Sequence, residues 1–571
     1  MRNTIPAIIL FLAATIAAYA PAFDAGYNFD DKPLIERNQY IRSLKNVPLF
    51  FVSKEARVPW THGGLQNDIY RPIQSASLAL SYSLWGDRPG AFHKENVLLH
   101  FINGVLVYLL LILLLGNRAV AILAALLFLV HPVQVEAVTY LVERASVLSL
   151  SFFLIAFCAF ILSERKPRRF NRYAAISLVS FLLSIFTKET AVILPVILVL
   201  YLMCFRTRNV PPVKTIAAKT WWYFAGAVLF VVLRTVNLGQ VAQYETISLW
   251  KRLLVMSEVF WDYLRLLVFP ATLTFFPQVN SNPFQLKIAY LFFAAVVAAF
   301  IALAVFLYKR RRRAAFFLLA YLVALLPVSN IIPIKTYMQE RFLYYPSVFI
   351  LSLASLSIVG AVHWLGEKRG AAFKCAVIAA AGVAVIALTT RTHMRNRDWR
   401  DQETLMLKEA TVNPENVRIF YDLAVTTFKE GDYDTSRDYC ERALKLTHNG
   451  FYLVQIYDQL GTLDKIAKRY DRALENYHAA VRSDPSYPYP YNSMGMIYVE
   501  EGNIQEAISN FEKAVERNPS DYVFNKNLGS AYNLDGKREQ ALRYWKKSLE
   551  INPDQPDLKR RLLELQNSRG G

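Results

Sequence analysis

The sequence predicts an all-α protein in two parts: a polytopic membrane domain over residues 1–395 and an α-solenoid over residues 400–571. Three observations predict it. Hydrophobic residues make up 54% of the 571, more than an ordinary soluble chain of this length carries. They gather into about eleven apolar segments that end near residue 391, where a 34-residue period takes over. The net charge of +19 is not spread evenly, because many of the basic residues cluster between the apolar segments. That distribution reads as membrane orientation. No basic-aromatic stripe or zinc-ligand spacing accompanies it, which sets nucleic acid aside as a partner.

A helix needs about 20 apolar residues to cross the hydrocarbon core. The segments fall near 4–22, 96–115, 119–137, 145–163, 172–187, 190–205, 221–237, 286–308, 314–330, 342–363 and 371–391. The first has Arg2, an apolar run and the small-x-small end Ala18-Tyr19-Ala20, as a signal peptide would. Pro21 would follow the cut, so an uncleaved span is expected. Basic clusters at Arg118, Arg165 to Arg172, Arg206 to Lys214, Lys309 to Arg313 and Lys368 to Lys374 mark the cytoplasmic loops. A full crossing at 253–270 would put Lys309 to Arg313 outside, so this stretch, with Glu258, Asp262 and Arg265, is expected to be re-entrant or interfacial. The long first loop, 23–95, and the C-terminal arm then share the external face.

In the arm, Pro485, Pro519 and Pro553 recur 34 residues apart, as do Gly495 and Gly529, Gly502 and Gly536, and Ala473, Ala507 and Ala541. The small residues mark the crossing of two helices, Tyr477, Phe511 and Trp545 fill the next groove, and proline ends the second helix. This is the tetratricopeptide pattern. About four repeats and a closing helix, PDLKRRLLELQ, make a short solenoid with a concave face.

The four cysteines are unpaired in pattern and read as small apolar residues. The chemistry-bearing residues collect on the external face. Asp30 and Asp31 follow the first span closely, and adjacent carboxylates serve as a general base or hold a divalent cation. His131 and Glu136 interrupt the third span, Glu143 and Arg144 open the fourth, and Lys188-Glu189 occupies a tight turn where the two are expected to pair. Glu340-Arg341 follows the ninth span, while Arg71, His93, Glu95 and His100 lie in or just after the first loop. Ionisable groups at membrane depth pair or line a cavity. Carboxylates beside several cations suit a lipid-phosphate substrate.

The ordered segments FDDKPLIERN, RPIQSASLALSYSLWG, FHKENVLLHFIN, LLFLVHPVQVEAVTYLVERA, TKETAVILPV and PVSNIIPIKTYMQERFLYYPS, ahead of the repeats, resemble the transmembrane and tetratricopeptide-repeat O-mannosyltransferases. These lie within the GT-C class of membrane glycosyltransferases. The resemblance covers nearly the whole chain. It implies a GT-C-like membrane domain, a polyprenyl-phosphate sugar donor and a first-loop carboxylate as catalytic base. Asp30 and Asp31 match the acidic motif, and Lys188-Glu189 and Glu340-Arg341 match its other charged motifs. Glu143 departs from the pattern, standing where glycine is common.

The expectation is an inverting membrane glycosyltransferase that moves mannose or a similar hexose from a polyprenyl phosphate to a protein hydroxyl. Asp30 or Asp31 is the base. Arg341, with Lys188 or Arg144, holds the departing phosphate, and Arg71, His93, His131, Glu136, Glu189 and Glu340 complete the substrate site. No cofactor is required, although a divalent cation at Asp30 and Asp31 is compatible. The repeats present the protein acceptor. Two alternatives stay open: oligosaccharide transfer from a lipid diphosphate, and a membrane-anchored scaffold without catalysis. No N-x-Ser/Thr acceptor with a permitted middle residue occurs, which favours a bacterial inner membrane with periplasmic repeats over an endoplasmic reticulum with lumenal ones.

Overall fold

A computed structural model describes residues 4–53, 56, 60–62, 65–67, 70–165, 171–205, 211–238, 248–277, 286–334, 336–447 and 450–567. The basic residues Lys166, Arg168, Arg169, Arg206 and Arg208 lie outside them. Among the described residues the protein is all-α apart from one short hairpin in the first loop, Trp60–His62 against Leu65–Asn67. It divides into two compact units, Met1–Leu405 and Met406–Gly571.

In the first unit, six helices among the described residues are long and apolar enough to cross a bilayer. A seventh is added if the pair Arg118–Val130 and Pro132–Thr139, bent by 54°, counts as one span. The bend has a local cause. Pro132 cannot continue the helix, and His131 leaves helical geometry and accepts the Val133 N–H on its own Nδ1. Shorter apolar helices, Arg172–Thr187 and the run Glu189–Phe205, pack beside the long ones. Asn117 and Asn171 cap the helices that follow them through their side-chain oxygens. The stretch at 253–270 falls largely in one continuous helix, Leu249–Val268. Val255, Val259, Tyr263 and Leu266 are its buried face, while Asp262 and Arg265 pair with each other on the more open side.

These elements matter because their ends converge. The first span runs into a loop whose Gly26 N–H bonds Arg400 O at 2.9 Å. Asn28 Nδ2 bonds Trp399 O at 3.1 Å. The start of the first loop is therefore stitched to the end of the helix Ala371–Asp398. The turn Leu141–Glu143 leads directly into the helix Arg144–Arg165. All of this lies at one end of the helical body.

The second unit contains four helix pairs: Val417–Glu430 with Tyr433–Leu446, Phe451–Ile466 with Tyr470–Ser483, Tyr489–Glu500 with Ile504–Arg517, and Tyr522–Leu534 with Arg538–Ile551. Helix Pro556–Asn567 closes the stack. Where the two helices of the third pair cross, a Cβ on Gly495 would sit 2.7 Å from the Phe511 ring. Only glycine lets these helices approach so closely. Tyr477, Phe511 and Trp545, the aromatics read from the period, are all buried.

Candidate active site

The two adjacent aspartates have different environments. Asp31 is fully buried. Its Oδ1 accepts the Val142 N–H at 2.8 Å and its Oδ2 accepts the Asn28 N–H at 3.1 Å. Burial pushes its carboxyl well above the ordinary range, opposed by those backbone N–H groups. Asp31 thus clips the first loop to the peptide ahead of the fourth span. Asp30 is only half-buried. Its Oδ2 accepts the Tyr140 hydroxyl at 2.8 Å, and its own N–H donates back to that oxygen at 3.2 Å. Two bonds to one phenol fix both the backbone and the carboxylate.

The residue before Asp30 carries the strain. Phe29 has φ of +43°, outside glycine's company in the left-handed region. Its ring stacks on Phe275, with centroids 5.0 Å apart. Phe275 in turn meets Tyr140 at 5.7 Å and Trp399 at 5.3 Å. This aromatic packing holds a backbone conformation that costs on the order of 1 kcal/mol or more, and the result is a carboxylate presented at a fixed place.

Below it lies a chain of alternating charges. Arg71 pairs with Glu189 at 2.7 Å in a two-point contact. Lys188 pairs with Glu143 at 2.7 Å and also bonds Ser146 Oγ. Arg341 contacts Glu143 at 3.2 Å and grips Glu136. Three cations and three carboxylates alternate, so the network is neutral and mutually satisfied. Buried charges are tolerated only under such pairing. The expected Lys188–Glu189 pair is not formed: each residue takes a partner from another element. Arg341 also lies within electrostatic reach of Tyr140, which brings the Asp30 clamp and the cation chain into one site. Arg71, outside the spans, is held charged by Glu189 against the effect of burial.

The other expected site residues sit differently. Arg144 is fully committed inside, to Asn96 Oδ1, Phe92 O, Ser81 Oγ and Glu95. It ties the helices Pro72–Trp85, Pro89–Leu115 and Arg144–Arg165 together. His93 bonds Gly26 O at 3.2 Å, bracing the loop behind the aspartates, while its Nδ1 has no partner. His131 bonds Leu267 O at 3.1 Å, fixing the end of the amphipathic helix. Glu340 accepts the Thr274 N–H and lies 3.8 Å from Arg395. Among the described residues no three His, Cys, Asp or Glu side chains gather as a metal site. Asp31 is thus spanned by two backbone amides, whereas Asp30 is half-buried and takes the Tyr140 hydroxyl.

Sequence reasoning missed Tyr140, Phe29, Phe275 and Trp399. Tyr140 and Phe29 stand within quoted motifs, but a lone aromatic there carries no periodic signal. Phe275 and Trp399 are ordinary aromatics until the fold joins them to position 29.

A tetratricopeptide-repeat family model matches residues 489–521. The human protein O-mannosyl-transferase TMTC3 is 25% identical over 515 residues, covering 83% of this chain and 54% of the relative. The Drosophila melanogaster Tmtc3 is 23% identical over 559 residues, covering 83% and 58%. The mouse TMTC1 is 44% identical over a shorter stretch of 92 residues, 16% of this chain and 10% of the relative. The chain spans about half the length of TMTC3 and its counterparts in mouse and fly. A crystal structure of MamA aligns with 27% of the chain and 83% of its own, at 22% identity and a TM-score of 0.23. An alignment over 83% of the chain is longer than the membrane unit alone, so it takes in part of the repeats as well. Over its membrane unit and into its repeats, the chain is therefore similar to the transmembrane and tetratricopeptide-repeat protein O-mannosyltransferases.

Proposed function

We propose that the chain is an inverting membrane glycosyltransferase of the O-mannosyltransferase type. It transfers mannose or a similar hexose from a polyprenyl phosphate to a serine or threonine hydroxyl of a protein, on the external face of the membrane. The observation that carries this reading is Asp30: a carboxylate fixed by the Tyr140 hydroxyl, set on a strained backbone, beside a cluster of cations.

The chemistry follows from that arrangement. The acceptor O–H gives its proton to Asp30 as its oxygen attacks the anomeric carbon. The bond from that carbon to the phosphate oxygen breaks with inversion, and the phosphate keeps the electron pair. Arg341, Lys188 and Arg71 supply positive charge for the departing phosphate. Each already has a carboxylate partner, so the phosphate competes with Glu136, Glu143 or Glu189 for its cation. Arg341 and Arg71 are the more exposed of the three and are the first to be reached. A lipid monophosphate is a good leaving group, so no cofactor is required in this scheme; a divalent cation near Asp30 is an additional arrangement that the scheme accommodates. Asp31 and Arg144 act as structural supports. The repeats hold the protein acceptor, and the setting is a bacterial inner membrane with the arm in the periplasm.

The test is transfer from labelled polyprenyl-phosphate mannose by the purified protein in lipid. Transfer by the wild type that is lost in Asp30→Asn supports the reading. Equal transfer by both sinks the base assignment. Transfer from a lipid-diphosphate oligosaccharide alone would replace the donor.

A further inference from the structure

The repeat arm carries a polar site that the transfer chemistry does not use. It lies on helix Phe451–Ile466, the first helix of the second pair. The buried side of this helix is Val454, Ile456, Leu460 and Leu463. Gln455, Asp458, Gln459 and Thr462 follow the i, i+3, i+4, i+7 spacing on another face. The flanking first helices, Val417–Glu430 and Tyr489–Glu500, pack on either side of it.

Three atoms on this face have no hydrogen-bond partner among the described residues. Asp458 Oδ1, Gln455 Oε1 and Gln459 Nε2 are shielded from solvent and unbonded. Asp458 forms no ion pair among the described residues. Leaving such groups unpaired is costly, and native folds do so rarely. Tyrosines surround the carboxylate. Tyr421 from the preceding first helix, and Tyr487 and Tyr489 from the start of the following one, lie within electrostatic reach of Asp458. Tyr421 also meets the Tyr452 ring at 5.9 Å, and Tyr487 meets Tyr489 at 5.2 Å. The charged group nearest to Asp458 in influence is Lys465, two turns further along the same helix.

We propose that this face is a docking groove for an extended polypeptide segment that inserts a lysine or arginine side chain between the tyrosines and onto Asp458. The occupant follows from the chemistry of the walls. A carboxylate flanked by aromatic rings recognises a cation by charge and by the ring faces together. Gln455 and Gln459, one turn apart, offer an acceptor and a donor, which match the N–H and C=O of an extended backbone. An anionic partner would meet Asp458 with like charge. The neighbouring units do not repeat this feature: one period beyond Asp458 stands Asn492, whose Oδ1 accepts from Asn527 Nδ2 at 2.9 Å, and two periods beyond stands Lys526. The cation site is therefore local to the second pair, and the partner's basic residue sets its register there.

The proposal rests on reading the repeats as a protein-binding arm, and it is independent of sugar transfer. Its test uses the full chain in lipid nanodiscs, without donor. The probes are fluorescent Ser/Gly peptides that carry one central lysine, norleucine or glutamate. Fluorescence anisotropy should show the lysine peptide binding about tenfold more tightly than its norleucine twin, with the glutamate peptide weakest. Asp458→Asn should remove the preference for lysine over norleucine. Equal binding of the three peptides overturns the cation site and leaves only a general protein-binding groove, and absence of saturable binding overturns the groove as well. Because the peptides are compared on the wild-type chain, the result does not depend on how the variant folds. Loss of sugar transfer in a separate assay, with the lysine preference intact, would count against the enzyme reading alone.

Discussion

Two clusters of buried polar groups, one in each unit, are built in opposite ways. In the candidate site of the membrane unit the ionisable side chains are partnered almost one to one: Arg71 with Glu189, Lys188 with Glu143, Arg341 with Glu136 and Glu143. In the repeat arm, one atom each of Asp458, Gln455 and Gln459, on the same helix face, has no hydrogen-bond partner among the described residues. An apolar surrounding makes each unpaired charge expensive, so a site at membrane depth must be satisfied before its substrate arrives. A solenoid arm can leave a polar cluster incomplete where a binding partner completes it. The comparison teaches that a neutral, satisfied cluster is no argument against a phosphate site, and that an unsatisfied one is an argument for a partner.

The largest effect is expected where the two aspartates are separated. Asp30→Asn should lower sugar transfer by roughly 10²–10⁴-fold while thermal unfolding is unchanged, since the amide oxygen still accepts the Tyr140 hydroxyl. Retained transfer with a lowered melting point would reverse the roles of Asp30 and Asp31. Glu143→Gln tests the satisfied network itself. It removes the carboxylate shared by Lys188 and Arg341, and leaving buried cations underpaired should cost about 3–5 kcal/mol. Unfolding in detergent, followed by tryptophan fluorescence, reads that loss; an unaltered midpoint would mean that water already reaches the pair.

Much of this comparison was legible in the sequence, and the missing parts share a cause. The helix pairs, their glycine crossings and their buried aromatics follow from the 34-residue period, because each repeat makes the same local contacts. The family resemblance was legible in ordered motifs. Ion partners were not. Lys188 and Glu189 are neighbours in sequence, yet Lys188 is extended, with φ −152° and ψ 134°, and Glu189 starts a new helical turn. Their side chains diverge, and each reaches a partner about 45 or 118 positions away. Asp30 and Asp31 are equally ambiguous as letters. What separates them is the Val142 amide and the Tyr140 hydroxyl, both more than 100 residues away. Periodicity reports contacts that repeat, and a site assembled once from distant turns leaves no period.

In the arm, Gly495→Val sharpens the structural side. The new side chain would drive into the Phe511 ring, already 2.7 Å from where a Cβ would sit. Overpacking of that kind costs about 2–3 kcal/mol and should raise amide exchange in Tyr489–Glu500 and Ile504–Arg517 while sparing the membrane helices. Exchange unchanged in both helices would mean the crossing can relax. Back at the candidate site, Tyr140→Phe keeps the ring against Phe275 and Trp399 but removes the hydroxyl from Asp30. Transfer should fall by about tenfold in kcat, with KM held, since a positioning bond is lost and no substrate contact is. A rise in KM alone would instead place Tyr140 against the substrate.

The smallest effect is also the one whose sign is most informative. Burial pushes the Asp458 carboxyl up to about 7 from its ordinary 3.8, with Lys465 only partly opposing. A raised folded value means that the folded arm binds this proton more tightly than the unfolded chain does. The favourable contribution is complete below about pH 4, declines as pH rises towards 7, and is gone above it. Asp458→Asn carries no such charge. At pH 8 it should therefore stabilise helix Phe451–Ile466 by about 1 kcal/mol, read as slower amide exchange in the full chain, and the gain should vanish near pH 4. Burial raises the Tyr421 and Tyr487 hydroxyls, away from this window, and lowers the Lys465 ammonium. A variant that is less stable at pH 8 would show that Asp458 already has a partner within the fold, and the contrast between the two units would lose its arm. A variant that is more stable yet loses its preference for a lysine peptide would show a residue held against stability for the sake of binding.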